Sequence, residues 1–257
     1  MLEGKKIIVT GSASGMGEAT LKAYVKAGAN VVGMDISDQK GKDISSNANN
    51  IGPGKCTFIH IDVSDKDSVK NAFDLALDEL KTLDVLAHPA AIQGPADASE
   101  VKVEDWDNMF AVNVRGTMLT NQTAFKYMKK NGSGSIINFG SISGLRPEPS
   151  ASAYSAAKGA VHSWTRTAAG TWGKYNIRVN AILPAIATPM YYAARKRSTE
   201  EENTVAHWRN SVPISLGQEY GDPDNDLAPV MVFFASDSSK FITGQLIPVD
   251  GGQTAGL

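Results

Sequence analysis

The sequence predicts an α/β fold: one doubly wound domain, a seven-stranded parallel sheet flanked by helices. Three observations carry that expectation. Apolar runs and amphipathic stretches alternate from end to end of the 257 residues. Most apolar runs are short and apolar at successive positions, the pattern of strands covered on both faces. No linker, low-complexity block or internal repeat divides the chain, so 1–257 reads as a single domain.

In order along the chain, KKIIVT (5–10) is the first strand, and a helical pattern follows over 15–28. ANVVGM (29–34) is the second strand; the helix expected over 38–51 is weakened by Gly41 and the run SSNANN. CTFIHI (56–61) leads to a helix over 66–80, and LDVLA (83–87) to a long helical pattern over 104–130. GSIINF (134–139) precedes a helix over 151–174, IRVNAI (177–182) is the sixth strand, and a helix over 224–236 precedes QLIPV (245–249). The stretch 190–216 interrupts this rhythm with charges and with Tyr191, Tyr192 and Trp208. Loops after strand C-termini surround the ligand crevice of a doubly wound sheet, so 190–216 is expected to act as a substrate lid.

Composition narrows the function classes. A hydrophobic content of 42% and a charged content of 20% are ordinary for a globular protein. A net charge of −2 supplies no basic field to hold a nucleic-acid backbone. The single cysteine, Cys56, cannot form an internal disulfide, and no Cys/His cluster has metal-ligand spacing, so no metal is expected. MLEGKKIIVTG enters a strand pattern at once, without room for a signal peptide, and no apolar run approaches the ~20 residues needed to cross a bilayer. These features predict a cytoplasmic protein that acts on a small-molecule substrate, with no nucleic-acid or membrane partner.

Residues 10–17, TGSASGMG, follow the first strand directly. Glycines at a strand-to-helix turn let the backbone approach a pyrophosphate, and a helix N-terminus offers it free N–H groups. Asp35 follows the second strand, eighteen residues past Gly17. An acid there accepts hydrogen bonds from ribose hydroxyls and repels a 2′-phosphate. With no Arg or Lys among Ser12, Ala13, Ser14, Ile36 and Ser37 to receive that phosphate, NAD (NADH) is expected rather than NADP.

Tyr154 and Lys158, in YSAAK, are four apart and share one helix face. A lysine ammonium ~5 Å from a phenolate, at an effective dielectric of about 20, stabilises it by about 3 kcal/mol. That lowers the phenol pKa by roughly 2 from its reference near 10, toward what an acid/base catalyst needs. Ser141, thirteen residues before Tyr154, follows a strand and can hydrogen-bond a carbonyl or alcohol oxygen. Asn113 stands in a long helical pattern where its propensity is mediocre, which suggests a polar or hydration role.

These motifs together resemble the short-chain dehydrogenase/reductase family along nearly the whole chain, and the resemblance implies a Rossmann-type NAD-binding oxidoreductase. TGSASGMG resembles the family's Thr-Gly-x-x-x-Gly-x-Gly loop, implying cofactor contacts from Gly11, Ser14, Gly15, Met16 and Gly17. Asp62-Val63 resemble its adenine-contacting pair, and Ala90 falls in its segment after the fourth strand. Asn113, Ser141, Tyr154 and Lys158 match its catalytic tetrad, and ITGQLIPVDGG (242–252) its C-terminal end. The implied roles are proton exchange by Tyr154, orientation of the substrate oxygen by Ser141, and a proton relay supported by Asn113. Lys158 would tune Tyr154 and hold the nicotinamide ribose. Thr188 would meet the nicotinamide carboxamide, and a homodimer or homotetramer would form through the helices 104–130 and 151–174.

Three segments depart from the family pattern. His88-Pro89-Ala90-Ala91 replaces Asn-Asn-Ala-Gly, Pro184-Ala185 replaces Pro-Gly, and the run to Thr188 is one residue shorter. His88 is read as a structural brace, since its ring can donate and accept as asparagine does. The expected activity is NAD-dependent interconversion of a secondary alcohol and a ketone, on a bulky alicyclic or steroid-like substrate suggested by Met190, Tyr191, Tyr192 and Trp208. The alternatives are a 3-oxoacyl-thioester reductase and a non-catalytic NAD-sensing protein.

Overall fold

The computed structural model describes residues 1–148, 151–196 and 214–255. Seven strands form one parallel sheet in the order β3-β2-β1-β4-β5-β6-β7. They are β1 (Lys6–Thr10), β2 (Asn30–Asp35), β3 (Lys55–His60), β4 (Val85–His88), β5 (Gly134–Phe139), β6 (Ile177–Pro184) and β7 (Leu246–Val249). The helices are α1 (Gly15–Lys26), α2 (Asp38–Ala48), α3 (Lys66–Leu80), α4 (Val103–Phe110), α5 (Gly116–Asn131), α6 (Ser152–Trp172), α7 (Pro189–Arg195) and α8 (Ala228–Ala235).

Successive residues of a strand point to opposite faces, so continuous apolar runs supply two cores at once. Ile7 and Val9 of β1 pack with Leu21, Tyr24 and Val25 of α1 and with Met231 and Phe234 of α8. Ile8, between them, faces the other layer, with Phe73 and Ala76 of α3, Met128 of α5 and Trp172 of α6. A fully buried side chain of this size contributes about 1.5–3 kcal/mol relative to exposure. The second helix forms despite its glycine, because Gly41 packs against the Phe58 ring. Tertiary contact thus overrides a weak propensity.

The long helix expected over 104–130 is interrupted. Ala111–Arg115 form a π-helical turn between α4 and α5. The expected lid, 190–216, falls largely outside the described residues, Trp208 included; only α7 and the segment from Ile214 onward are seen.

Candidate active site

β1 lies between β2 and β4, where the strand order reverses and the loops leaving the sheet part to opposite faces. Such a switch point creates the crevice in which doubly wound sheets bind ligands. Here the loops after β1 and β4 touch: Gly11 has φ +61°, and a Cβ on it would lie 2.7 Å from Ala90 Cα and N. A Cβ on Gly17 would overlap the Gly11 carbonyl oxygen, so glycine lets α1 close onto its own loop. Ser14, extended and exposed, precedes α1 without a side-chain cap. The N–H groups at Gly15, Met16 and Gly17 therefore begin a helix whose positive end faces the crevice, and the cradle fits a diphosphate.

Asp35 closes one side of this cradle. Its Oδ2 accepts from Ala13 N–H at 3.0 Å and its Oδ1 from Ser37 N–H at 2.9 Å. A carboxylate has about four lone-pair sites, so about two stay available for ligand hydroxyls. Asp62 turns the chain after β3: its Oδ1 accepts from Ser64 N–H at 2.9 Å and from the Ser64 hydroxyl at 2.7 Å, beside buried Val63.

The sheet ladder ends at Phe139, and Ser141 follows with its hydroxyl accepting from Ser143 N–H at 3.2 Å. α6 carries Tyr154 and Lys158 on the same face of the site. Lys158 is buried; its ammonium donates to the Phe139 carbonyl at 2.7 Å and lies 5.5 Å from the centre of the Tyr154 ring. Burial holds the Lys158 pKa down at about 8. Burial also pushes the Tyr154 phenol up to about 12, against a hydrogen bond from the Ser141 hydroxyl that lowers it. The expectation that Lys158 brings this phenol toward neutrality is therefore not met. Desolvation of the phenolate outweighs the lysine, whose charge is itself desolvated and directed to Phe139.

Asn113 sits inside the π-helical turn, a distortion common at functional sites. Its Oδ1 accepts from Ile92 N–H and its Nδ2 donates to the Ile92 carbonyl, both at 2.9 Å. The side chain thus clamps the loop after β4, while its own carbonyl accepts from the Thr117 hydroxyl at 2.7 Å. The extra residue of the turn adapts the helix to that loop.

His88 ends β4, with Nδ1 2.8 Å from Thr10 Oγ1 and 3.3 Å from Thr120 Oγ1. Burial, with the charge of Lys158 adding to it, holds its pKa down at about 3. A base that weak is poorly matched to proton transfer near pH 7, and its two threonine partners tie β4 to β1 and α5. Thr188 is buried against the glycine-rich loop, 3.4 Å from where a Cβ on Gly15 would lie. Its hydroxyl also accepts from Tyr191 N–H at 3.2 Å, capping α7. The shortened loop before it is pinned by Ala187 N–H to the Gly221 carbonyl and Gly221 N–H to the Ala185 carbonyl. Tyr191 and Tyr220 then pack with ring centres 4.5 Å apart and planes tilted by 33°. Sequence reasoning missed Tyr220 and Ile92, which reach the site from segments that carry no motif.

A family model described as enoyl-(acyl carrier protein) reductase matches residues 11–254. A 3-oxoacyl-(acyl-carrier-protein) reductase of Thermotoga maritima is 36% identical over 252 residues, covering 98% of each chain. A trans-4-hydroxycyclohexanecarboxylate dehydrogenase of Sinomonas cyclohexanicum is 34% identical over 98% of this chain and 93% of that one. Among solved structures, levodione reductase superposes with a TM-score of 0.93 at 27% identity over the whole of both chains. The 3-ketoacyl-(acyl-carrier-protein) reductase of Brucella melitensis, complexed with NADH, superposes with a TM-score of 0.86 at 30% identity, over 99% of this chain and 100% of that one. The ordered motifs, the sheet and these likenesses agree: the chain belongs to the short-chain dehydrogenase/reductase family.

Proposed function

We propose that this protein is an NAD(H)-dependent oxidoreductase that interconverts a secondary alcohol and a ketone on a bulky ring-bearing substrate. The observation that carries the reading is the convergence of Ser141, Tyr154 and Lys158 just past the end of the interior strand β5. The cradle would hold the pyrophosphate, and Asp35 the adenosine ribose hydroxyls. Lys158 gives one of its three N–H donors to Phe139 and has others for the nicotinamide ribose. When bound, the nicotinamide supplies or takes up the hydride.

In the direction of reduction, Ser141 and Tyr154 donate hydrogen bonds to the ketone oxygen. Tyr154, protonated at neutral pH, then gives its proton to the developing alkoxide. The adjacent ammonium of Lys158 stabilises the resulting phenolate. Tyr191 and Tyr220 would form an aromatic wall for an alicyclic ring, and the cyclohexane-ring relative supports that substrate class. A second reading, reduction of a 3-oxoacyl thioester, is favoured by the Thermotoga maritima relative. Association into a dimer or tetramer through α5 and α6 belongs to this reading; light scattering tests it.

The deciding assay follows NADH and NADPH consumption with alicyclic, steroid and open-chain ketones and a 3-oxoacyl thioester. Ring ketones are expected to turn over with NADH, and Tyr154→Phe to lose about 10²–10⁴-fold in rate. Faster turnover with NADPH and the thioester would replace the first reading by the second.

A further inference from the structure

The sheet ladder leaves the Ser141 backbone N–H without a strand partner. Gly140 N–H makes the last bond to β6, to the Ile182 carbonyl at 2.8 Å. The next N–H, of Ser141, donates instead to a side chain: Nε2 of His162, at 3.3 Å. His162 lies one helical turn past Lys158 and two past Tyr154 on α6, and only 3% of it is exposed. Both glycines near the serine make room for the ring. A Cβ on Gly140 would overlap Nε2, and one on Gly144 would come within 2.7 Å of Cε1.

Nε2 can accept this N–H only when it carries no proton, so the ring is neutral with its hydrogen on Nδ1. Burial holds the ring neutral, helped by the charges of Lys158 and Arg166, while the nearby Gly144 carbonyl works the other way.

We propose that His162 is a positioning residue: seated between Gly140 and Gly144, it fixes the Ser141 backbone to the helix that carries Tyr154 and Lys158. The two hydroxyls that meet the substrate oxygen are thereby referenced to one rigid element. The functional consequence rests on the reading of Ser141 as a partner of that oxygen; the contact itself does not.

Two variants separate the acceptor from the volume it fills. His162→Gln can place its amide oxygen near the Nε2 position, whereas His162→Leu fills space without an acceptor. In His162→Leu, exchange of the Ser141 amide measured by NMR is expected to accelerate at least about tenfold. Ketone reduction is expected to lose about 10–100-fold in kcat, with KM and the NADH Kd within about twofold of the parent. His162→Gln is expected to restore most of both, and circular dichroism confirms that each variant is folded. Equal losses in the two variants, or an unchanged Ser141 amide in His162→Leu, would overturn the proposal. If the parent protein reduces no ketone, the oxidoreductase reading fails, and the amide measurement still decides whether His162 holds Ser141.

Discussion

Replacing Lys158 by methionine is expected to remove activity without destabilising the fold at neutral pH. The lysine is 3% exposed and its pKa is lowered by burial from 10.5 to about 8. That drop corresponds to about 3 kcal/mol of native-state cost for the ammonium at pH 7. Against it stands the bond from Nζ to the Phe139 carbonyl at 2.7 Å, whose loss costs about 1–3 kcal/mol. The net expectation is a Lys158→Met protein at least as stable as the parent at pH 7, by about 0–2 kcal/mol. The sign with pH follows from the native state binding its proton more weakly than the unfolded chain. Between about pH 8 and 10.5 the unfolded state holds more protons, so the parent gains stability as pH rises and its deficit relative to Lys158→Met closes. Urea denaturation of both proteins at pH 7 and pH 10, at one protein concentration, measures the two differences. A variant less stable than the parent at pH 7, by an amount that does not change at pH 10, would refute the reasoning.

Two further substitutions probe the frame of the site. Gly11→Ala adds a Cβ 2.7 Å from the Ala90 backbone at φ +61°, and is expected to cost about 1–3 kcal/mol and to weaken NADH binding. Thermal melts and a fluorescence titration measure both; unchanged affinity would show that this loop does not carry the cofactor. His88→Asn keeps a group able to bond Thr10, so turnover is expected within about threefold of the parent. Loss of kcat with unchanged NADH affinity would instead give His88 a direct part in the reaction.

Much of the site was legible because its signals are local. Spacing of four residues puts Tyr154 and Lys158 on one helix face whatever surrounds the helix, and glycines after an apolar strand announce a turn into a helix. Asp35 stood out for the same reason, as the acid ending the second strand. Asn113 was recognisable as an unusual helical residue, but nothing in its neighbours announced a π-helical turn. The Asn113 amide in that turn meets Ile92, twenty-one residues away, accepting from its N–H and donating to its carbonyl. The tuning of Tyr154 was misjudged because a charge at a given distance can be estimated from spacing, whereas desolvation depends on everything packed around the group.

The sequence by itself determined the strand and helix order, the doubly wound class, the glycine-rich turn after the first strand, and the residue types at the candidate site. Each follows from the period of apolar side chains or from the conformational limits of a few adjacent residues. Only the tertiary structure decided that Gly11 meets Ala90, that His88 is held neutral between threonines, that His162 receives the Ser141 N–H, and that burial governs both Tyr154 and Lys158. These depend on segments tens of residues apart being brought into contact, and the strength of a hydrogen bond or charge there is set by how completely water is excluded.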